Sequence, residues 1–277
     1  MFTFTTALLL LLLGFGVGVF GTLVGAGGGF VLTPVLLVLY PHESPARITA
    51  ISLVVVFLNA LSGSSAYARQ RRIDYGSGLA FAAAALPGSI GGALVVRLAP
   101  VRLFDVLMGA TLATLAVWLT QGSHGVTSSR PSGKRSERVL TDRVGRQHRY
   151  RVPVRRGVIY SVGVGFISSF LGIGGGVIHV PLMVGALGFP THIATATSHF
   201  VLTFMAAAGS ITHAIAGTFN DGVGLRRAAA LSVGVIGGAQ LGAHLSQRAS
   251  GPLIRRLLAL GLVALAIRLI LVGTGAA

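Results

Sequence analysis

The sequence predicts an all-α, polytopic helical membrane protein, and three observations lead to this fold class. The chain of 277 residues is 53% hydrophobic and only 10% charged, whereas a soluble domain is about one quarter charged. Long apolar runs such as ALLLLLLGFGVGVF replace the alternating segments of about ten residues that a membrane β-barrel would show. The apolar segments also recur in two similar halves of the chain.

The first predicted membrane element, Thr5–Tyr40, is too long for one straight span. At 1.5 Å per residue it would reach about 54 Å, whereas the hydrocarbon core is about 30 Å thick. It contains GAGGGFVLTP, Gly25–Pro34, and glycine and proline cost about 1 and 3 kcal/mol in a helix interior. We therefore expect a broken helix here. Because no basic segment precedes the apolar run, we interpret it as a span and not as a signal peptide.

Ordinary predicted spans follow in the first half, at Arg47–Tyr67, Gly76–Leu98 and Val101–Thr120. The second half opens with another long stretch, Gly157–Leu187, and continues with His192–Ala216, Gly222–Leu245 and Leu253–Val272. If each long stretch crosses the membrane once, the chain has about eight spans and parallel halves. If each crosses twice, it has ten spans and inverted halves. We predict eight, with ten as the alternative.

The two halves form an internal repeat. The second long stretch carries GIGGGVIHVP, so Pro34 matches Pro181 at an offset of 147 residues, and the offset later settles at 146. Between Ala60 and Ala93, fifteen of thirty-four positions are then identical. Repeats of this size are typical of membrane transporters, and a duplicated bundle without a transport role is the alternative. We assign residues 1–120 and 157–277 to the two repeats.

Residues 121–156 form a basic segment between the halves. Ten of the 22 Lys and Arg residues lie between Arg130 and Arg156, and the segment begins with many Gly, Ser and Pro residues. We interpret it as a flexible linker on the cytoplasmic side, where basic loops concentrate and can touch anionic lipid. Since nearly half of the basic residues lie in this one loop-like segment and not in a binding fold, we predict no nucleic-acid partner.

The duplicated glycine runs are the candidate substrate site. A helix broken at membrane depth is tolerated only inside protein or beside a watery cavity, and successive amide hydrogens near a helix N-terminus attract anions. Close helix packing is the alternative explanation, and we assign it to Gly88, Gly92, Gly234, Gly238 and Gly242. The predicted backbone site comprises Gly25, Gly27, Gly28, Gly29, Gly172, Gly174, Gly175 and Gly176.

The paired GAGGGFVLTP and GIGGGVIHVP motifs, the two halves and the basic central segment resemble the TauE/SafE family of sulfite exporters and related anion permeases. The resemblance covers nearly the whole chain. It implies a multi-pass permease of the cell inner membrane. The implied substrates are small sulfur-containing or organic anions such as sulfite, sulfoacetate or thiosulfate. It fixes neither the individual substrate nor the direction of transport.

Polar side chains near the glycine runs are further candidates. The six Asp and Glu residues lie away from the predicted bilayer centre, which suits an anion carrier because buried carboxylates would repel the substrate. His179 and His199 can donate to an anion or carry a coupled proton. Asn59 and Ser198 lie on the spans that follow the motifs. The prolines Pro34 and Pro181 complete the predicted substrate-binding set.

The sequence argues against an enzyme. It has no cysteine, no HExxH pattern and no Walker A pattern, so we expect no catalytic residues, no metal site and no cofactor. A secondary transporter for a small anion is the favoured function, with protons as a possible coupling ion. An anion channel and a non-transporting membrane sensor are the alternatives, and the oligomeric state is left open.

Overall fold

Helices make up most of the chain, and two short strands lie between the halves. The computed structural model describes residues 3–120, 136–220 and 222–248, with isolated positions at 256, 260, 263, 264 and 267, so most of the predicted span Leu253–Val272 lies outside the described residues. The helices are α1 (Phe4–Val24), α2 (Gly29–Leu39), α3 (Pro45–Arg69), α4 (Tyr75–Val95), α5 (Val101–Thr120), α6 (Val154–Leu171), α7 (Gly176–Gly185), α8 (Thr191–Ile215) and α9 (Val223–Leu245).

Short polar residues at the helix starts explain where several helices begin. The side chain of Thr3 accepts the Thr6 amide hydrogen at 3.2 Å and starts α1. Ser44 caps α3 in the same way and precedes a proline in the first turn, while the Asp74 carboxylate accepts the Ser77 amide hydrogen at 3.0 Å and starts α4. Each cap satisfies an amide that the helix itself leaves unpaired.

Five of the described helical segments can cross a membrane by length and composition. These are α1, α3, α4 with the 3-10 turn Val96–Leu98 that follows it, α8 and α9. Large apolar side chains point outward from them, including Leu9, Leu79 and Val233, whose exposed fractions are 62%, 54% and 63%. Extensive apolar surface of this kind suits contact with lipid. The all-α membrane class is thereby confirmed, whereas the number of spans stays a prediction.

Both long stretches are broken at their glycine runs, as predicted. Thr5–Tyr40 forms α1 and α2, and Gly157–Leu187 forms α6, which begins slightly earlier at Val154, and α7. Glycines in each break have φ between 58° and 79°, a region that residues with a side chain rarely adopt. The glycines with these angles are Gly25, Gly27, Gly28, Gly172, Gly174 and Gly175.

The second helix of each broken stretch turns back along the first. A Cβ atom at Gly28 would lie 2.5 Å from Cγ1 of Val17, and the Phe30 ring lies 5.8 Å from the Phe20 ring. In the second half, His179 in α7 reaches back to the Ser161 hydroxyl in α6, with 3.1 Å between Nε2 and Oγ. Each broken stretch is therefore a hairpin of two helices.

Glycines at four-residue spacing bring the two halves together. A Cβ atom at Gly88 in α4 would meet the backbone of Val162 in α6, and one at Gly234 in α9 would meet the backbone of Leu11 in α1. The packing interpretation of these glycines is confirmed, because their missing side chains let the helix backbones touch. Equivalent backbone contacts occur at Gly92, Gly238 and Gly242.

The central helices α3 and α8 are repeat equivalents that lie side by side in opposite directions. Thr49, near the start of α3, lies 3.4 Å from His213, near the end of α8. Ser64, near the end of α3, lies 3.3 Å from Thr203, which is nearer to the start of α8 than His213 is. This antiparallel course bears on whether the two halves are parallel or inverted, which stays a prediction.

The expectation of a flexible linker is wrong for residues 136–152. Strands β1 (Ser136–Thr141) and β2 (Gln147–Val152) pair antiparallel in this segment. The turn between them is fixed by the Asp142 carboxylate, which accepts the amide hydrogens of Val144 and Arg146 at 2.9 Å each. Burial alone would raise the pKa of Asp142, but these hydrogen bonds and the one from His148 hold it below its ordinary value. Residues 121–135 lie outside the described residues.

The β-hairpin packs on the helical bundle. The Tyr150 hydroxyl donates to the Asp74 carboxylate at 3.1 Å, and its ring lies 5.2 Å from the Phe189 ring. Tyr150 and Val152 are both buried. Burial and the neighbouring Asp74 charge raise the pKa of Tyr150, so the hydroxyl stays a donor. Tyr150 and Val152 alternate with more exposed residues along β2 and pack on this bundle surface. This packing orders a segment whose composition alone suggests disorder.

Candidate functional site

The two helix breaks meet at the centre of the molecule. A Cβ atom added at Gly29 would lie 2.7 Å from the carbonyl oxygen of Ile173, and one added at Gly176 would lie 2.5 Å from that of Gly25. Both breaks are buried. Each half-helix thus begins against the break of the other repeat, and the predicted glycines of both halves lie together.

The walls around the breaks come from α3 and α8 and repeat across the two halves. Gly172 faces Thr49 of α3, while Gly25 faces Thr195 of α8, which is the repeat equivalent of Thr49. Gly174 packs on Val56. Gly27 packs on Leu202, the repeat equivalent of that valine. Both halves therefore build the same enclosure around the other's break.

Several amide hydrogens at the breaks have no acceptor among the described residues. In the first half, Gly25, Ala26 and Gly27 donate to carbonyl groups of α1, but the following amides do not. A helix start always leaves its first amides unpaired, and they carry the positive end of the helix dipole. The unpaired amides are those of Gly28, Gly29 and Phe30 in the first break and those of Gly174, Gly175 and Val177 in the second.

The prolines lie inside the short helices and not at the breaks. Pro34 is buried in α2, and Pro181 is buried in α7. A proline has no amide hydrogen and removes one hydrogen bond from its helix. These two residues of the predicted set therefore have no backbone donor to offer an anion, and any role they have is in shaping the half-helices.

A buried polar cluster flanks the first break. Thr22, in the last turn of α1, donates to Asn59 Oδ1 at 3.0 Å. Its hydroxyl oxygen lies 3.2 Å from Nε2 of His199, so this nitrogen is the donor and carries the ring proton. The Tyr67 hydroxyl donates a hydrogen bond to the Thr22 carbonyl at 2.6 Å. The cluster joins α1, α3 and α8 beside the break.

Several polar atoms near the breaks are buried without a hydrogen-bond partner among the described residues. In the cluster around Thr22 they are Asn59 Nδ2 and His199 Nδ1, although the His199 ring lies near enough to the Gly25 backbone to interact with it. Near the second break they are the hydroxyls of Ser168 and Ser169. Buried polar atoms are nearly always paired, so these atoms keep hydrogen-bonding capacity beside the breaks.

Ser198 differs from its repeat equivalent, Ser52. The Ser52 hydroxyl donates to the Gly172 carbonyl at 2.7 Å, and the Thr33 hydroxyl lies within hydrogen-bond distance of both. The Ser198 hydroxyl is buried and has no partner among the described residues. Ser52 of the first half therefore donates a hydrogen bond to the second break, whereas the equivalent Ser198 hydroxyl of the second half donates none to the first break among the described residues.

His179 lies apart from the Thr22 cluster. Its Nε2 donates to the Ser161 hydroxyl, which in turn donates to the Gly157 carbonyl at 2.7 Å. Its Nδ1 is buried without a partner. The visible contact of His179 holds α7 against α6, and its predicted role toward the substrate stays a prediction.

The comparisons with known proteins show the family to which the chain belongs. The family model "Sulfite exporter TauE/SafE" matches residues 10–269. The chain belongs to this family. It is 31% identical to the "Probable membrane transporter protein YunE" of Bacillus subtilis, over 96% of this chain and 97% of that protein. It is 26% identical to "Probable membrane transporter protein MJ0441" of Methanocaldococcus jannaschii, over 90% of each chain. No solved structure gave a significant match.

Membership in the TauE/SafE family makes the chain a membrane transporter and accounts for the multi-pass helices. These names indicate a transporter and not an enzyme. Within the described residues, no group of three or more His, Asp or Glu side chains is arranged to hold a metal ion. The acidic side chains Glu43, Asp74 and Asp142 serve ion pairs, a helix cap and the β-hairpin turn.

Sequence reasoning in this TauE/SafE protein missed three residues that flank the breaks. Thr22 bridges Asn59 and His199. Ser168 and Ser169 lie in the last turn of α6 and have no hydroxyl partner among the described residues. A signal was present, because Thr22 and Ser169 are repeat equivalents and both precede a glycine run. A hydroxyl residue in the last turn before a duplicated break is a pattern that would have identified them.

Proposed function

We propose that this TauE/SafE protein is a secondary transporter that moves a small anion, such as sulfite, a sulfonate or a related organic anion, between its two halves. The observation that carries the proposal is the meeting of two helix breaks whose first amides are unpaired. Amide hydrogens at helix N-termini attract anions. Paired half-helices near the bilayer midplane are a common design for substrate binding in transporters.

The surroundings of the breaks suit an oxyanion. Asn59 Nδ2 and the Ser198 hydroxyl add neutral donors to the unpaired amides, and no carboxylate contacts the break glycines among the described residues. A methyl group does not fit at Gly29 or Gly176 in this conformation. Binding therefore requires the two breaks to move apart, as expected for a carrier that alternates between conformations.

The course of the helices supports inverted halves and ten membrane segments over the predicted eight spans. The broken stretches fold back as hairpins, and the equivalent helices α3 and α8 run antiparallel. A broken stretch that turns back ends on the side of the membrane where it began. The three spans that follow it in each half then carry the chain to the other side, so the two halves begin on opposite sides of the membrane. Inverted repeats of this kind allow one site to face either side in turn.

Cysteine labelling tests this topology, because the chain has no cysteine of its own. Val144 lies in the β-hairpin turn with 73% exposure, and Asn220 is exposed between α8 and α9. We expect Val144→Cys and Asn220→Cys to react with a membrane-impermeant maleimide from opposite sides of the membrane. Eight spans with parallel halves would place both on one side. Basic residues favour the cytoplasm, so the Val144 side is expected to be cytoplasmic, with the protein in the inner membrane.

Counterflow in proteoliposomes tests the transport function. We expect external labelled sulfite to accumulate in vesicles preloaded with unlabelled sulfite, because a carrier exchanges bound substrate across the membrane. A sulfonate and chloride serve as the related and unrelated anions. Unitary currents without counterflow would indicate the channel alternative. If neither currents nor counterflow were observed, the non-transporting sensor would be the remaining alternative. A pH gradient that drives uptake would add protons as the coupling ion.

A further inference from the structure

A polar cavity of about 290 Å³ opens at the end of the bundle where α3 begins. Ser44 and Arg47 line it from the start of α3, Arg97 lines it from the 3-10 turn after α4, and Thr218 lines it just after α8. These are three separate elements drawn from both halves. The cavity therefore lies between the repeats, where a substrate path would begin.

Two arginines, Arg47 and Arg97, line this cavity. Arg47 and Arg227 both pair with Glu43, each at 2.7 Å. Burial alone would raise the pKa of Glu43, but the hydrogen bonds from Arg227 and Arg47 lower it, so the carboxylate is ionised. Arg97 adds a further cation at the cavity wall. A cationic side chain on a concave surface attracts anions.

A row of polar groups leads from the cavity to the second break. The Thr218 hydroxyl lies 3.4 Å from Nδ1 of His213, and Nε2 of the same ring lies 3.4 Å from the Thr49 hydroxyl. Thr49 packs directly on Gly172, where an added Cβ atom would lie 2.9 Å from the Thr49 Cα. His213 is fully buried. The row connects an open cavity with a helix break that has unpaired amides.

The position that corresponds to this cavity in the other repeat lies at the opposite end of the bundle, and side chains fill it. Ala216 and Arg97 at the cavity correspond to Gln70 and Ala243 at the 146-residue offset. The Gln70 side chain donates to the Ala243 carbonyl at 3.1 Å. The Arg143 amide of the β-hairpin turn donates to the Gln70 carbonyl at 3.0 Å. The same position is thus open on one face and closed beneath the β-hairpin on the other.

We propose that the cavity lined by Arg47, Arg97 and Thr218 is the entrance from which the small anion approaches the breaks before they move apart. The inference rests on the proposed transport function. It assigns attraction of the substrate to Arg97 and the passage inward to the polar row of Thr218, His213 and Thr49. The closed equivalent under the β-hairpin makes this conformation open to one face of the membrane.

Charge removal at Arg97 tests the entrance by its effect on KM. In counterflow at low ionic strength, we expect Arg97→Gln to raise the KM for sulfite by about threefold to tenfold with little change in maximal rate, and high salt to reduce the difference. Arg102→Gln is the matched control, since Arg102 is exposed at the start of α5 and does not line the cavity. It should change KM by less than about twofold.

Thiol protection gives a second measurement that does not depend on transport rates. We expect Thr218→Cys to react with a negatively charged methanethiosulfonate. A transported sulfonate, which unlike sulfite does not attack the reagent, should slow this reaction. Asn220→Cys, in the same loop but outside the cavity, should react without protection. Unchanged KM in Arg97→Gln together with unprotected Thr218→Cys would overturn the entrance while wild-type counterflow still supported transport. Absence of wild-type counterflow would instead count against the proposed function.

Discussion

Replacing Gly176 by alanine should nearly abolish anion transport. The added Cβ atom would lie 2.5 Å from the Gly25 carbonyl oxygen and 2.8 Å from the Ala26 backbone, so it would push one break away from the other. Overpacking costs about 1–3 kcal/mol, and backbone atoms cannot move aside as a flexible side chain can. We expect counterflow to fall at least about tenfold, since 1.4 kcal/mol corresponds to that factor. Gly29→Ala, against Ile173, should act alike.

The repeat supplies a matched pair of controls for these substitutions. Gly16 and Gly163 are equivalent helical glycines at the 147-residue offset, and a Cβ atom at either meets nothing within 4 Å among the described residues. Gly16→Ala and Gly163→Ala should retain transport and purify as well as the wild type. Normal counterflow in both Gly29→Ala and Gly176→Ala, at normal protein levels, would contradict the proposal that the meeting breaks form the site.

His199→Leu and Asn59→Met should each lower transport strongly while the protein still folds. These substitutions introduce the residues that the other repeat carries, Leu53 and Met205. Asn59→Met removes the free donor Nδ2 beside the first break, and His199→Leu removes the ring that donates to Thr22. Both keep an apolar side chain of similar size in a buried place. Since Thr22 keeps one partner in either variant, the cost in stability should stay near about 1 kcal/mol. Loss of the Asn59 donor, or of the contact that positions Thr22, should reduce counterflow about tenfold or more.

A neighbouring hydrogen bond on the same interface gives the comparison for these two variants. The hydroxyl oxygens of Ser64 in α3 and Thr203 in α8 lie 3.3 Å apart, and Ser64 is not among the hydrogen-bond partners of Thr22 in the described residues. Ser64→Ala should change transport by less than about twofold and should lower thermal stability only slightly. If His199→Leu and Asn59→Met transported sulfite like Ser64→Ala, the cluster around Thr22 would be structural and not part of the site.

The sequence by itself determined where the helices break, and it predicted that the chain is duplicated. Glycine and proline in a strongly apolar segment oppose a continuous helix through local backbone energetics, so Gly25–Gly29 and Gly172–Gly176 could be identified without knowing their neighbours. The four-residue glycine spacing in α4 and α9 likewise predicted close packing. Length, hydropathy and the paired motifs were sufficient for the membrane class and the family.

Only the tertiary structure decided what the breaks touch and which way the chain leaves them. A glycine run allows a helix either to continue after a kink or to turn back, and the contact of Gly28 with Val17 selects the turn. Thr22, Asn59 and His199 are far apart in sequence, and they meet because α1, α3 and α8 pack together. The β-hairpin is ordered by a bundle surface that includes Asp74 and Phe189. Local sequence fixes local backbone preferences, whereas these contacts depend on packing between distant segments.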